Sequence, residues 1–183
     1  MLIQDRYASA THSSNLKSVP KTIYSDSDVL GAYGMADRRL STGEGHFSKH
    51  PLAVPLERLF TGDNSAAGEI VRILAEIIRS KAKALRIRMT ELQASDMARV
   101  AVGWFRHPAC RVCGGHGFKL IKNTVTLGDS RCRPCNGTGK VQLELAYRVE
   151  QRELVSWVIA QLERESAMAG PAAMRALAPS LAL

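Results

Sequence analysis

A mainly α-helical fold carrying one small β-containing cysteine-knuckle module is predicted by three observations on this chain of 183 residues. Apolar side chains recur at i, i+3, i+4, i+7 over residues 65–85, 90–105 and 143–168, the period of a helix buried on one face. All four cysteines fall in one stretch, spaced Cys110-x2-Cys113-x18-Cys132-x2-Cys135. Between the two pairs, Phe118 to Leu127 is rich in β-prone residues.

The elements follow in chain order. Residues 1–24 show little periodicity and are expected to form a flexible N-terminal arm. Residues 25–183 are expected to form a single α-helical domain with an inserted module at 110–140. Asp26 to Ala36 offers Val29, Leu30, Tyr33 and Met35 as contacts for a short helix, weakened by Gly31 and Gly34 at about 1 kcal/mol each relative to Ala. Residues 41–51 read as loop. Leu52 to Phe60 is apolar but interrupted by Pro55, so it is expected to pack on the core rather than stand alone.

The first long helix is expected from Ser65 to Leu85, with Ile70, Ile73, Leu74, Ile77, Ile78 and Leu85 inward and Asp63, Asn64 or Ser65 capping its start. A second should begin at Thr90, because Thr90-Glu-Leu-Gln93 is a capping box whose two side chains satisfy free backbone donors reciprocally. Its expected apolar face is Leu92, Met97, Val100, Ala101 and Trp104. Pro108 keeps it from running into the cysteines. Within the module, Gly128-Asp129 is expected to turn a small hairpin. A last long helix is expected over Leu143–Met168, burying Leu145, Val149, Leu154, Val158, Ile159 and Leu162. Gly170-Pro171 should stop it, with one or two more turns over Ala172–Ala178.

The cysteine pairs are two copies of one unit. Cys110-Arg-Val-Cys113-Gly-Gly115-His-Gly117 and Cys132-Arg-Pro-Cys135-Asn-Gly137-Thr-Gly139 both read C-x-x-C-x-G-x-G. Two residues between thiolates let one turn present both sulfurs to a single ion, and two such turns complete a tetrahedral zinc shell. Glycines after each pair permit positive φ and close approach of amides to sulfur. His107 and His116 lie close enough in sequence to compete, but four thiolates fill the shell without them. The expectation is one structural Zn2+ per chain held by Cys110, Cys113, Cys132 and Cys135, with no open catalytic position.

Composition limits the rest. Hydrophobic residues make up 45% and charged residues 23%, which excludes disorder throughout. With 5% aromatics, the core must be built from aliphatic residues and alanine. No apolar run approaches the roughly 18–20 residues of a membrane helix, and the start of the chain lacks a secretory-signal pattern. An intracellular, soluble protein is expected, with no membrane partner.

The net charge is +8 and is concentrated: residues 71–90 hold six basic and one acidic group, and residues 110–140 the same. Four thiolates and one divalent ion lower the module's charge by two, which leaves it basic. Such blocks point to nucleic acid. On the first helix Arg79, Lys83 and Arg86 are spaced to form one stripe. In the module Arg111, Arg131 and Arg133 each stand beside a cysteine that fixes their backbone. These six are the candidate DNA contacts. A P-loop, H-E-x-x-H and G-x-S-x-G are all absent from the sequence, so no enzyme and no small-molecule substrate is expected.

The paired knuckles resemble the zinc domain of DnaJ-type co-chaperones, although that domain has four knuckles and here there are two, with no His-Pro-Asp signature. More of the chain is similar to the lambda-type antitermination protein Q of lambdoid bacteriophages. Ser27-Asp-Val-Leu-Gly-Ala-Tyr-Gly-Met-Ala36, a basic amphipathic helix pair, the knuckles, and a last helix with Gln161-Leu-Glu-Arg-Glu165-Ser166 occur in that family's order. The resemblance covers most of residues 25–170. The family's helix-turn-helix-like region after the zinc module is shortened here to one long helix and a short tail, so its DNA contacts are not carried over.

The resemblance implies a phage late-gene transcription antiterminator in the cytoplasm of the bacterial host. Such a protein binds double-stranded DNA at a late-promoter element, engages paused host RNA polymerase with its σ factor, and lets it read through terminators. Another zinc-dependent nucleic-acid-binding regulator is the alternative, and a DnaJ-like chaperone module a more distant one.

Overall fold

The computed structural model describes residues 3–13, 26–42, 50–121, 124 and 126–177. It is mainly helical, with 64% helix and one small two-stranded sheet. Helices α1 (Ile3–Thr11), α2 (Asp26–Thr42), α3 (Ala53–Phe60), α4 (Ala66–Ala84) and α5 (Glu91–Arg106) precede strands β1 (Phe118–Leu120) and β2 (Leu127–Arg131). A 3-10 turn at Leu143–Ala146 then leads to α6 (Val149–Ser166) and α7 (Ala169–Leu177). Contacts divide the chain into two compact units, Met1–Leu74 with Ala160–Leu183, and Ala75–Ile159.

In the first unit, α2 and α7 pack through small residues. Val29, Ala32, Tyr33 and Ala36 line one face of α2, and α7 brings Ala169, Ala172 and Ala173 into the same cluster. Alanines at these positions let the two backbones approach closely, so α7 is the main partner of α2. Residues 3–11, expected to belong to the flexible arm, form α1, and Tyr7 and Ala10 bury its inner face. Tyr7 stacks on Tyr33 with ring centroids 3.9 Å apart. The rest of the expected arm lies outside the described residues, except for His12 and Ser13. The helix at Asp26 continues beyond Ala36 to Thr42, through Gly31 and Gly34, and Met35 is exposed rather than packed.

The apolar stretch at 52–60 is α3. Pro55 is tolerated because it falls in the first turn, where amides have no intrahelical acceptor to lose. Leu52, Val54, Leu56 and Leu59 are buried there. One carboxylate ties this segment to α6. Glu165 is fully buried and accepts from the Leu52 amide at 2.9 Å and from Gln161 Nε2 at 2.8 Å. Its Oε1 also lies 3.2 Å from His50 Nδ1. Burial raises its pKa despite these partners, so the acid is held by hydrogen bonds rather than by solvent.

The second unit holds α5, the sheet and their neighbours. Thr90 caps α5 as expected: its hydroxyl accepts from the Gln93 amide at 3.2 Å, and Gln93 Oε1 accepts from the Thr90 amide at 2.9 Å. The buried face of α5 is Ala94, Met97, Ala98, Ala101 and Val102, so the expected face is corrected by about a quarter of a turn. Leu92 and Val100 are exposed. The expected helix over 143–168 is also corrected. Tyr147 is extended, separating the 3-10 turn from α6, and Leu145 and Val149 are exposed. Gly170-Pro171 lies in the first turn of α7, where proline starts a helix rather than ending one.

Two outcomes are expected. Burial raises the Glu57 pKa, so the fold favours its protonated form. The stability this group contributes is complete below the ordinary carboxylate range and is lost as pH rises through the raised pKa. Relative to the wild type, Glu57→Gln should therefore gain stability as pH rises above the ordinary carboxylate range, read as the difference in urea midpoints. Second, the buried Tyr33 hydroxyl has no hydrogen-bond partner among the described residues. Tyr33→Phe should be neutral or stabilising by up to about 1 kcal/mol in thermal unfolding. A clear loss would mean the hydroxyl is satisfied.

Candidate metal centre

The four cysteines converge. Their sulfurs all lie within 4.8 Å of one another and are buried. Cys113 Sγ is 3.7 Å from Cys135 Sγ, and Cys110 Sγ is 4.0 Å from Cys132 Sγ. A disulfide would need about 2.05 Å. A tetrahedral ion with bonds of about 2.3 Å to sulfur has edges of about 3.8 Å, which these separations match. The donor set therefore fits one metal ion, with all four positions supplied by the protein.

The backbone explains why the sulfurs meet. The main backbone bonds of the first knuckle recur in the second 22 residues later. The Cys110 amide donates to Gly139 O at 2.7 Å, and the Cys132 amide to Gly117 O at 2.8 Å. Gly115 and Gly137 amides donate to Cys110 O and Cys132 O, each at 3.2 Å. The chain takes positive φ at Gly114, Gly115 and Gly117, and again at Asn136, Gly137 and Gly139. The module is thus a pseudo-symmetric pair of turns, each clasping the other's glycine carbonyl. A Cβ on Gly117 would collide with Gly137 O, and one on Gly139 with Gly115 O. Side-chain volume is excluded there before conformational preference is considered.

Electrostatics favour a cation. Burial opposes ionisation of Cys113, yet amide donors from Gly117 and Gly115, with help from Cys135 and Cys110, outweigh it and hold this thiol at about 7. The Gly117 amide lies 3.3 Å from its sulfur. Burial and the neighbouring sulfurs push Cys132 up to about 12. An ion among the sulfurs stabilises the thiolate form of all four and displaces their protons. His107 and His116 are exposed and are not members of this cluster.

The sheet is part of the same module. β1 pairs antiparallel with β2, Phe118 opposite Arg131 and Leu120 opposite Leu127. The reversal lies between Ile121 and Thr126, whose backbones bond at 3.0 Å, and not at Gly128-Asp129, which sits inside β2. An isolated bridge of Ala109 with Lys140 closes the base. The Trp104 indole donates to Val141 O at 2.7 Å, fixing the module to the end of α5. This tie was not expected from sequence: Trp104 is separated from its acceptor by the whole module.

The six candidate DNA contacts differ in surroundings. Arg111, Arg131 and Arg133 are exposed and have no acidic partner among the described residues. Arg111 and Arg133 are equivalent in the two knuckles. The Arg131 stem lies along Gly137, so its base is fixed by packing. Arg79 is exposed on α4 and lies 3.7 Å from Glu91. Lys83 is exposed on the same helix, and both border a cleft of about 430 Å³. Arg86 is not on the helix. α4 ends at Ala84, and Arg86 follows with φ +57°, so the expected stripe ends at Lys83.

Comparison with known proteins finds no matching family model, no matching curated protein and no matching solved structure.

Gly117→Ala leaves all four sulfurs in place but collides at the clasp. It should lower metal stoichiometry, measured by elemental analysis, as far as Cys113→Ser does. In both variants the helical circular dichroism signal should fall by only a minor part, because α4 and α5 lie outside the module. Full metal content in Gly117→Ala would show that the clasp is not required.

Proposed function

We propose that this protein is a zinc-dependent transcription antiterminator that binds double-stranded DNA. Zn2+ is the preferred ion for four thiolates, where it supplies structural cross-linking. The observation that carries the reading is the set of cations around the cysteine centre. Arg111, Lys119, Arg131, Arg133 and Lys140 are exposed and have no acidic partner among the described residues. Residues 110–140 hold only one carboxylate, Asp129. A surface kept open to anions on a metal-stapled scaffold suits phosphate, and its arginines suit guanine as well.

In this reading the module's cations position the protein on the phosphates, and one or two fixed arginines read base edges. Arg111 and Arg133 start from turns clamped by the knuckle hydrogen bonds, so each loses less freedom on binding than a mobile side chain. Lys83 and Arg79 add phosphate contacts from α4. The remaining surface engages host RNA polymerase at its pause near the late promoter. The choice of antitermination among nucleic-acid functions rests on the resemblance in the 25–170 region.

Two measurements test this. Purified protein added to host polymerase on a template with the late promoter and a downstream terminator should raise read-through, and chelation of the metal should abolish the effect. Loss of read-through with retained duplex binding favours another zinc-dependent regulator. In salt titrations of duplex binding, Lys83→Ala should lower the magnitude of the log–log slope by about 0.9. Unchanged slope and affinity would remove Lys83 from the interface.

A further inference from the structure

The end of α4 holds an arginine where glycine is the usual residue. The Arg86 amide donates to Lys83 O at 3.1 Å and the Ile87 amide to Ala82 O at 2.9 Å. These two bonds form the helix-ending motif whose turning residue adopts the left-handed conformation. That residue is Arg86, at φ +57°. L side chains seldom take this region, whereas glycine does so freely. A residue kept against its backbone preference points to a use for its side chain.

The side chain borders a cleft of about 400 Å³, which Arg88 and Arg148 also line. All three are exposed. Glu150 and Glu153 line the same cleft, yet among the described residues none of the three guanidinium groups pairs with either carboxylate or any other. The cleft therefore keeps three open planar forks, each able to bind two oxygens of one phosphate. The first turn of α6, beginning at Val149, adds the positive end of an 18-residue helix.

The geometry points to a phosphate-binding cleft formed by Arg86, Arg88 and Arg148, distinct from the cysteine module and occupied by backbone phosphate of the bound nucleic acid. The cleft follows from its own residues; the source of the phosphate rests on the DNA-binding reading above. Glu150 and Glu153 hold the net charge of the cleft at about +1.

The test separates the cleft from its ligand. Thermal unfolding is followed with sodium tripolyphosphate, against sodium chloride at equal ionic strength. Duplex binding is followed by anisotropy of a labelled 20-base-pair DNA of random sequence. The wild type should gain melting temperature with tripolyphosphate. Arg148→Ala should lose that gain. Arg86→Gly should melt higher than the wild type without ligand, because the backbone strain is relieved, and yet gain less on adding it. Glu153→Gln should gain more. Arg99→Ala, which removes one charge outside both the cleft and the cysteine module, should respond like the wild type. On the duplex, each cleft arginine variant should lower the magnitude of the salt slope by about 0.9. Wild-type responses from Arg148→Ala and Arg86→Gly, or an equal loss from Arg99→Ala, overturn the cleft. Lost tripolyphosphate response with an unchanged duplex slope overturns nucleic acid as the source and leaves a free polyphosphate. A cleft that behaves as expected toward tripolyphosphate in a protein that binds no duplex overturns the DNA-binding reading instead.

Discussion

Four sulfurs held within 4.8 Å of one another constrain everything from Ala109 to Val141. As thiols they are a poorly packed cluster in a stretch with few apolar side chains. As thiolates they repel unless a cation lies among them. The chain meets this constraint with hydrogen bonds, not with a hydrophobic core: each knuckle's cysteine amide bonds to the other's glycine carbonyl, and each sulfur sits in a turn lined by amides. The module therefore needs no aliphatic core of its own. Val112, Phe118, Ile121 and Leu127 are left exposed, and the remaining surface is free to be basic.

The other unit solves the opposite problem. There α2 and α7 meet through alanines with Tyr7 stacked on Tyr33, and Leu52, Leu56, Leu59, Ile70 and Leu74 supply a buried aliphatic core. Glu165 supplies specificity there. Removing it would leave the Leu52 amide and Gln161 Nε2 without their acceptor, a cost of roughly 1–3 kcal/mol. A buried acid bonded on three sides ties residues 50–52 to α6 in one register. A purely apolar contact would allow sliding.

How much of this is legible in the sequence depends on the range of the interaction. The cysteine cluster and the Thr90–Gln93 capping box are readable because their partners lie a fixed number of residues apart. Helices α4 and α5 are readable from period alone. The buried face of α5 is legible only in part: Met97 and Ala101 are inward as expected, but Ala94, Ala98 and Val102 take the place of Leu92 and Val100. Which side of a helix is inward is decided by the room its neighbours leave. The break at Tyr147, the bond from Trp104 to Val141 and the role of Glu165 all depend on partners distant in sequence. Arg86 marks a different limit. Its left-handed backbone defies the glycine preference that sequence reading relies on, so the end of α4 gives no local sign.

The 22-residue repeat also bears on how such a module arises and moves. Pro108 O and the Val141 amide are 2.8 Å apart, so the chain leaves the module beside the point where it came in. A segment whose two ends are neighbours is a cassette: it can be spliced into a tight turn of another protein without displacing the elements on either side. Because each half repeats the bonds of the other, one ancestral knuckle duplicated in tandem supplies the whole cassette. A homodimer of single knuckles sharing one ion would be its natural forerunner.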